Sequence, residues 1–533
     1  MKRRSFIKSS IGIGLGWSGV QAAESAVHTG SASLSTEAHP LKPNPAPANK
    51  PHIIFIMTDQ QRGDALGCMG NPYIRTPHLD QLAAEGTLFV CGYTSTPSST
   101  PARSGLLTGL SPWHHGMLGY GAVAPQYKYE MPQMLRDLGY YTFGIGKMHW
   151  NPQNSLHGFH QTLIDESGRV ESKDFISDYR LWFQMQAPGL NPDSTGIGWN
   201  DHGAAEYKLP EKLHPTAWTG EMACEMIHNH KKGNRQPLFL KVSFARPHSP
   251  YDPPQRLSDL YKGRDVPAPF IGEWCKEKDY ARLTKVADAP KDAAFGNFGE
   301  EYAKNSRRHY YANVTFIDEE IGKVIEALKE EGMYDNALIC YVSDHGDMLG
   351  DHFHWRKTYP YEGSVHIPYI VKWPAGYQFD KGGKIDAPVE LRDLLPTFLE
   401  AAGGTVPSDM DGQSLLRLMK GETWRTYIDL EHATCYSPDN YWCALTDGKI
   451  KYVWRFHTGE EELFDLINDP HELRNVVHEK KYRKKLQELR QAMISHLSER
   501  GEEFVKDGKL QILKRTVLYS PLFPDKNPVD TGI

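Results

Sequence analysis

Asp59, Gln60 and Asp344 each follow a short apolar run, which places hard oxygen ligands at two strand ends, as a divalent cation such as Ca2+ requires. His345 adds a nitrogen beside them. Lys147 and Lys357 are placed to neutralise negative charge on a reacting group, and His149 and His248 to move protons. Taken singly, a strand-end Asp is usually a turn or capping residue and a Lys is usually solvated. Together they fit a local cationic pocket for an anionic substrate. Such a pocket has to be local, because the chain carries a net charge of -6 with 24% charged residues. That balance suggests neither a nucleic-acid partner nor an anionic membrane.

The elements that must carry these residues are legible as continuous apolar runs, the pattern of parallel strands buried on both faces. Ile53–Met57, Tyr141–Ile145, Leu238–Phe244 and Leu338–Val342 each deliver polar residues at the carboxyl end, where open α/β sheets place their sites. Helical patterns fill the intervals at 76–86, Asn313–Glu331 and Leu391–Ala402, the first closed by Gly86 and the others followed by Gly332 and Gly403. After about residue 425 the pattern changes: strands at Trp442–Thr446 and Ile450–Trp454 flank the hairpin signal Asp447-Gly448, and an amphipathic helix runs through Lys480–Leu497. The expected fold class is α/β, with a mostly parallel central sheet flanked by helices and a smaller C-terminal α+β subdomain with a short antiparallel sheet. The expected divisions are 51–424 for the first part and 425–533 for the second, with a tail from about Glu502 wrapping the surface. The irregular stretches Ile164–Pro215 and Asp252–Asn305 read as insertions facing a substrate.

Residues 1–23 read as an address. Lys2-Arg3-Arg4-Ser5-Phe6-Ile7-Lys8, an apolar run from Ile11 to Val20 and Gln21-Ala22-Ala23 resemble a twin-arginine export signal, and residues 24–50 a flexible linker. The expected destination is periplasmic or secreted, without stable membrane association. The seven cysteines form no tight metal-binding cluster, and Cys435 and Cys443 are either bridged or buried free thiols.

Ser99-Thr100-Pro101-Ala102-Arg103 followed by Leu107-Thr108-Gly109 has a small residue, Pro two later and Arg four later. A loop entering a helix would share these residue types, and the upstream Ser95–Ser99 register lacks the Arg. With Gly146-Lys147-Met148-His149, Arg246-Pro247-His248, Ser343-Asp344-His345-Gly346-Asp347, Lys357 and Glu462–Leu466, in that order, the chain from His52 to Val477 resembles the formylglycine-dependent sulfatases of the Ser type, in the alkaline-phosphatase-like superfamily.

The resemblance implies that Ser99 is oxidised to formylglycine by a radical iron–sulfur maturase in the cytoplasm, before export. It implies that Asp59, Gln60, Asp344, His345 and the modified Ser99 bind the cation, and that Arg103 holds the aldehyde hydrate. Asp344 doubles as a base toward the attacking hydroxyl. His248 or Lys357 protonates the leaving oxygen, and His149 takes the proton whose loss expels sulfate. Many relatives have Asn at His345 and Asp at Gln60, so Ca2+ stays favoured while Mg2+ or a transition ion is less firmly excluded. The expected reaction is hydrolysis of a sulfate monoester, an O-sulfated carbohydrate in particular. The alternatives are a phosphate or phosphonate ester hydrolase of the same superfamily and an inactive glycan-binding relative. His114, His115, His352, His354 and His366 line the pocket or serve structure, and His432 either touches substrate or is satisfied in the core.

Overall fold

Ile53, Ile54, Phe55, Ile56 and Met57 are wholly buried because their strand, β1 (His52–Asp59), has strand neighbours on both sides and packed side chains over both faces. The computed structural model describes residues 50–169, 173, 175–275 and 292–525. Along the chain follow β2 (Thr87–Phe89), β3 (Gly92–Tyr93), β4 (Tyr141–Gly146), β5 (Gln161–Ile164), β6 (Leu238–Pro247), β7 (Ala337–Ser343), β8 (Tyr369–Lys372), β9 (Gly383–Ile385) and β10 (Val389–Glu390). Eight of them form one sheet in the order β5-β4-β6-β1-β7-β8-β2-β9, in which only β8 opposes the others; β3 pairs separately with β10.

Register brings the polar strand ends together. Thr58 pairs with Ser343, so Asp59-Gln60 and Asp344-His345 leave the sheet side by side. Gly146 pairs with Ser243, which sets Lys147 beside the end of β6 and therefore near His248. A break in register between Thr58 and Asp59 marks the point where β1 turns out of the ladder. The expected mostly parallel sheet is present, and the four neighbouring strands β4, β6, β1 and β7 all deliver residues to one edge.

Among the helices, Pro77–Glu85 and Leu394–Ala401 match the sequence pattern, the latter after a 3-10 turn at Leu391–Asp393. The helix expected over Asn313–Glu331 instead spans Glu300–Glu330. Its first turns bury Ala303, Ser306 and Arg307, small or charged side chains that do not read as an apolar stripe.

Toward the C-terminus, β11 (Ile428–His432), β12 (Trp442–Thr446), β13 (Ile450–Arg455) and β14 (Glu461–Asp465) form an antiparallel sheet in sequence order. Gly448 at φ +80° makes the expected turn between β12 and β13. The Arg483–Leu497 helix packs Leu486, Leu489, Met493 and Leu497 into the core on that sheet. This segment is sewn to the rest of the molecule: Glu431 N donates to Ser95 O at 2.8 Å and Ala433 N to Leu118 O at 2.6 Å.

The tail does not merely wrap the surface. Leu118 N donates to Leu518 O and Ser520 N to Gly116 O, while Phe504, Leu513, Val517 and Phe523 are buried. Apolar side chains spaced along an irregular segment win burial against the cores, and turn residues between them hide the pattern. All seven cysteines are free thiols, Cys435 and Cys443 among the buried ones. The export signal at 1–23 and the linker, apart from Lys50, lie outside the described residues. No helix among the described residues is long and apolar enough to cross a membrane.

Candidate active site

The edge of the sheet gathers Asp59, Asp344 and His345, whose ligand atoms lie within 4.8 Å of one another in a fully buried cluster. His345 Nε2 stands 3.7 Å from Asp59 Oδ1 and 3.6 Å from Asp344 Oδ1. Its Nδ1 lies 2.9 Å from Gly346 O, which assigns the ring proton there and turns the Nε2 lone pair toward the carboxylates. Asp59 Oδ1 is buried without a hydrogen-bond partner. A bare carboxylate oxygen in such a place is costly unless a cation meets it, so the donor set fits a divalent ion. Gln60, held at φ +72°, directs its amide elsewhere: Nε2 donates to Asp347 Oδ2 at 2.7 Å, and Oε1 accepts from Lys357 Nζ at 2.8 Å.

Ser99 opens the helix Ser99–Thr108, which Ser98 precedes in extended conformation and Gly109 ends at φ +68°. Its hydroxyl is 3.1 Å from His345 Nε2 and 3.4 Å from Asp59 Oδ2, and the residue is only 1% exposed. One turn on, Arg103 binds Asp344 Oδ2 through Nε at 3.0 Å and Asp59 Oδ2 through Nη2 at 3.3 Å. Its Nη1 donates to Lys147 O at 2.7 Å and Ser243 Oγ at 3.1 Å. The guanidinium therefore fixes both carboxylates and the end of β4 at once.

Lys147 Nζ contacts Asp59 Oδ2. Burial resists ionisation of Asp59, but Lys147, His248, Arg103 and His345 together hold its carboxyl well below the usual carboxylate range. Burial likewise pushes Lys147 down, against the pull of Asp59. His149, at φ +60°, has both ring nitrogens buried without a hydrogen-bond partner, and burial with Arg169 and Lys147 keeps it neutral, well below its ordinary range. Glu166 Oε1 accepts from Met148 N at 3.0 Å and His149 N at 2.7 Å and so shapes this turn.

Opposite, Lys357 Nζ lies 3.0 Å from His248 Nε2, whose Nδ1 faces Ser249 O at 3.0 Å. With the ring proton on Nδ1, His248 accepts from the ammonium. Burial, helped by Lys147 and resisted by Asp59, pushes Lys357 down to about 8. Burial and Lys357 keep His248 neutral well below its usual pKa.

The other histidines divide plainly. His115 accepts from Met117 N, His352 from Gly272 N, and His366 bonds Val90 O, all backbone groups outside the cluster. His354 packs edge-on to Tyr359, and His114 bridges Asp411 and Glu499. His432 is buried and takes the hydroxyl of Ser98, next to Ser99, at 2.8 Å, so it supports the Ser99–Thr108 helix from the C-terminal sheet. Sequence reasoning missed Glu166 and Asp347. Asp347 lies inside the Ser343–Asp347 motif and could have been found there; Glu166 sits in an irregular segment without period.

A sulfatase family model matches residues 51–404, with the strand-end and Ser99 motifs inside it. The chain belongs to the sulfatase family. A second family model, the C-terminal part of N-sulphoglucosamine sulphohydrolase, matches residues 350–499 of this sulfatase. An arylsulfatase of Clostridium perfringens is 36% identical, with 86% of this chain and 97% of that one covered. An N-acetylglucosamine-6-O-sulfatase of Bacteroides thetaiotaomicron is 27% identical over 86% of this chain and 88% of its own. The solved phosphonate monoester hydrolase of Agrobacterium radiobacter superposes with a TM-score of 0.70 at 23% identity, covering 84% of this sulfatase and 96% of that structure, which shows the shared alkaline-phosphatase-like fold. The sulfatase is thus a sulfuric ester hydrolase, of a family that uses a metal ion and formylglycine.

Proposed function

We propose that this sulfatase removes O-sulfate groups from a sulfated carbohydrate, acting through formylglycine derived from Ser99 and a bound divalent cation, Ca2+ by preference. The observation that carries the reading is the placement of Ser99 Oγ against Asp59 and His345, with Arg103 one turn behind it. Oxidised to the aldehyde, Ser99 supplies as its hydrate an attacking oxygen and a second hydroxyl whose deprotonation releases sulfate. The cation supplies Lewis acidity toward the sulfate oxygens. Asp59, Asp344 and His345 would hold it, and Gln60 Oε1 would join them by leaving Lys357.

The remaining steps belong to side chains of this chain. Lys147 and Lys357 neutralise charge on the sulfuryl oxygens as the ester bond stretches. Lys357 and His248, already in proton contact, carry the proton for the departing oxygen. His149, neutral with free nitrogens, takes the proton that lets sulfate go. The carbohydrate reading is supported by the glycan sulfatase among the relatives and by the family of the 350–499 match. Maturation by a cytoplasmic radical iron–sulfur enzyme and export by the twin-arginine route complete the proposal.

Peptide mass spectrometry across Ser99 in protein from its native host should find a loss of two hydrogens. Turnover of 4-nitrophenyl sulfate should exceed that of the phosphate at equal concentration, and Ser99→Ala should abolish it. A wholly unmodified active protein, turnover unaffected by Ser99→Ala, or preference for the phosphate or a phosphonate ester would overturn the reading; a parent protein with no turnover above background would revive the silent glycan-binding alternative. Chelation should remove activity, with Ca2+ restoring it better than Mg2+.

A further inference from the structure

Trp199 lies in an irregular insertion, yet its ring sits on the proton-carrying side of the site. The indole stacks on the His248 imidazole with centroids 4.4 Å apart and planes within 22°. Lys147 Nζ is 4.8 Å from the ring centroid and Arg246 Cζ 6.0 Å. Trp199 is itself half-buried, whereas His248 and Lys147 are buried beneath it.

Its position is built. Residues Gly198–Asp201 close a turn in which Asp201 N donates to Gly198 O at 3.1 Å and Gly198 N to Asp201 Oδ2 at 2.9 Å. The Ser249 hydroxyl donates to the carbonyls of Gly198 and Asp201, at 3.1 Å for Gly198. The same Ser249 receives His248 Nδ1 on its carbonyl oxygen. One residue therefore ties down both the imidazole and the turn that carries the ring covering it. Nδ1 is held in the plane of the imidazole and the indole holds the plane itself, so only Nε2 is left pointing to Lys357 and the site.

We infer that Trp199 is a positioning residue for protonation of the leaving group: by stacking on His248 it fixes Nε2, which accepts one N–H of the Lys357 ammonium and so aims that ammonium's remaining proton at the departing oxygen, and this sets how basic a leaving group the enzyme can expel. This rests on the sulfatase reaction proposed above. An alcohol or a sugar hydroxyl needs the proton as its bond to sulfur breaks, whereas 4-nitrophenolate leaves almost unaided. Loss of aim therefore penalises weakly acidic leaving groups selectively. A ring that served only as a platform for the substrate's own ring would penalise all aryl sulfates alike.

The test uses two esters of nearly the same shape, 4-nitrophenyl sulfate and phenyl sulfate, on the full-length protein matured in its host. For Trp199→Ala, kcat/KM for phenyl sulfate should fall about 10-fold or more while that for 4-nitrophenyl sulfate changes by less than about 3-fold, with the split in kcat rather than KM. Trp199→Phe keeps a stacking plane and should restore phenyl sulfate turnover to within about 3-fold of the parent. Trp199→Leu, which keeps bulk without a plane, should behave like Trp199→Ala and stands in for it if the alanine variant does not fold. Equal loss on both esters, no loss on phenyl sulfate, or full activity in Trp199→Leu overturns the inference. If the parent protein cleaves neither ester, the proposed function itself fails, and that result is distinct from all of these.

Discussion

Arg103 is the residue on which the two carboxylates of the cluster depend. It is almost fully buried and touches Asp59, Asp344 and the Lys147 carbonyl together. Removing one partner of such a buried set leaves charge uncompensated, at about 3–5 kcal/mol. Arg103→Ala should therefore lose activity and also lower the urea midpoint, and Arg103→Lys, with one point charge in place of a fork, should recover only part of either. At this scale the sequence was legible where a residue type is fixed by chemistry: Asp59, Ser99, Arg103, Lys147 and Asp344, all named from the sequence, come into contact at the sheet edge. It was silent on Glu166, whose work is to accept two backbone N–H groups, because any carboxylate at a bend could do that. It also left open whether His248 or Lys357 is the acid, and the 3.0 Å contact between them shows why spacing alone did not separate the two.

Two predictions belong to whole elements. The amino end of the Pro77–Glu85 helix is closed by Asp318, from the Glu300–Glu330 helix, which accepts from Leu79 N at 2.7 Å and His78 N at 3.2 Å. Burial nevertheless pushes its pKa up to about 7. The folded state thus holds a proton that the unfolded chain releases near pH 4, so this group's contribution is full below about pH 4 and is lost as pH rises through 7. Between those limits the parent should lose on the order of 2–4 kcal/mol relative to Asp318→Asn, read from urea midpoints at pH 5 and 7.5.

The second concerns β11. His432 bonds Ala433 O at 2.5 Å through Nδ1, which leaves Nε2 to accept the Ser98 hydroxyl and diverts Ser98 from capping its own helix. His432→Phe should keep the fold by circular dichroism but lower kcat about 10-fold or more with little change in KM, because it releases the residue beside Ser99, the proposed nucleophile. Elements were the most legible scale, though unevenly: β1, β4, β6 and β7 end within a few residues of their apolar runs, whereas the short β2, β5, β8 and β9 of the same sheet were not read. The front half of the Glu300–Glu330 helix was not legible, since its buried Arg307 pairs with Asp351 at 2.9 Å and reads in sequence as a surface residue.

At the scale of the molecule, the large sheet with its helices and the described residues after 425 share their stability. Val517 and Phe523 are buried against residues far upstream, and Met117 pairs with Tyr519. Each such side chain contributes about 1.5–3 kcal/mol, so ending the chain after Arg515 should cost several kcal/mol and lower Tm in calorimetry by well over the shift of a single surface change. Turn and Pro residues break every period in this tail, which is why its burial could not be read in advance.

Phe523 belongs to the same core as Ala102, Leu106 and Leu107 of the helix that begins at Ser99. Synthesis proceeds from the amino end, so that core lacks Phe523 until long after the helix that begins at Ser99 has left the ribosome. The delay between the emergence of Ser99 and the arrival of Phe523 is an interval in which the proposed maturase would reach a side chain that the finished protein keeps out of sight.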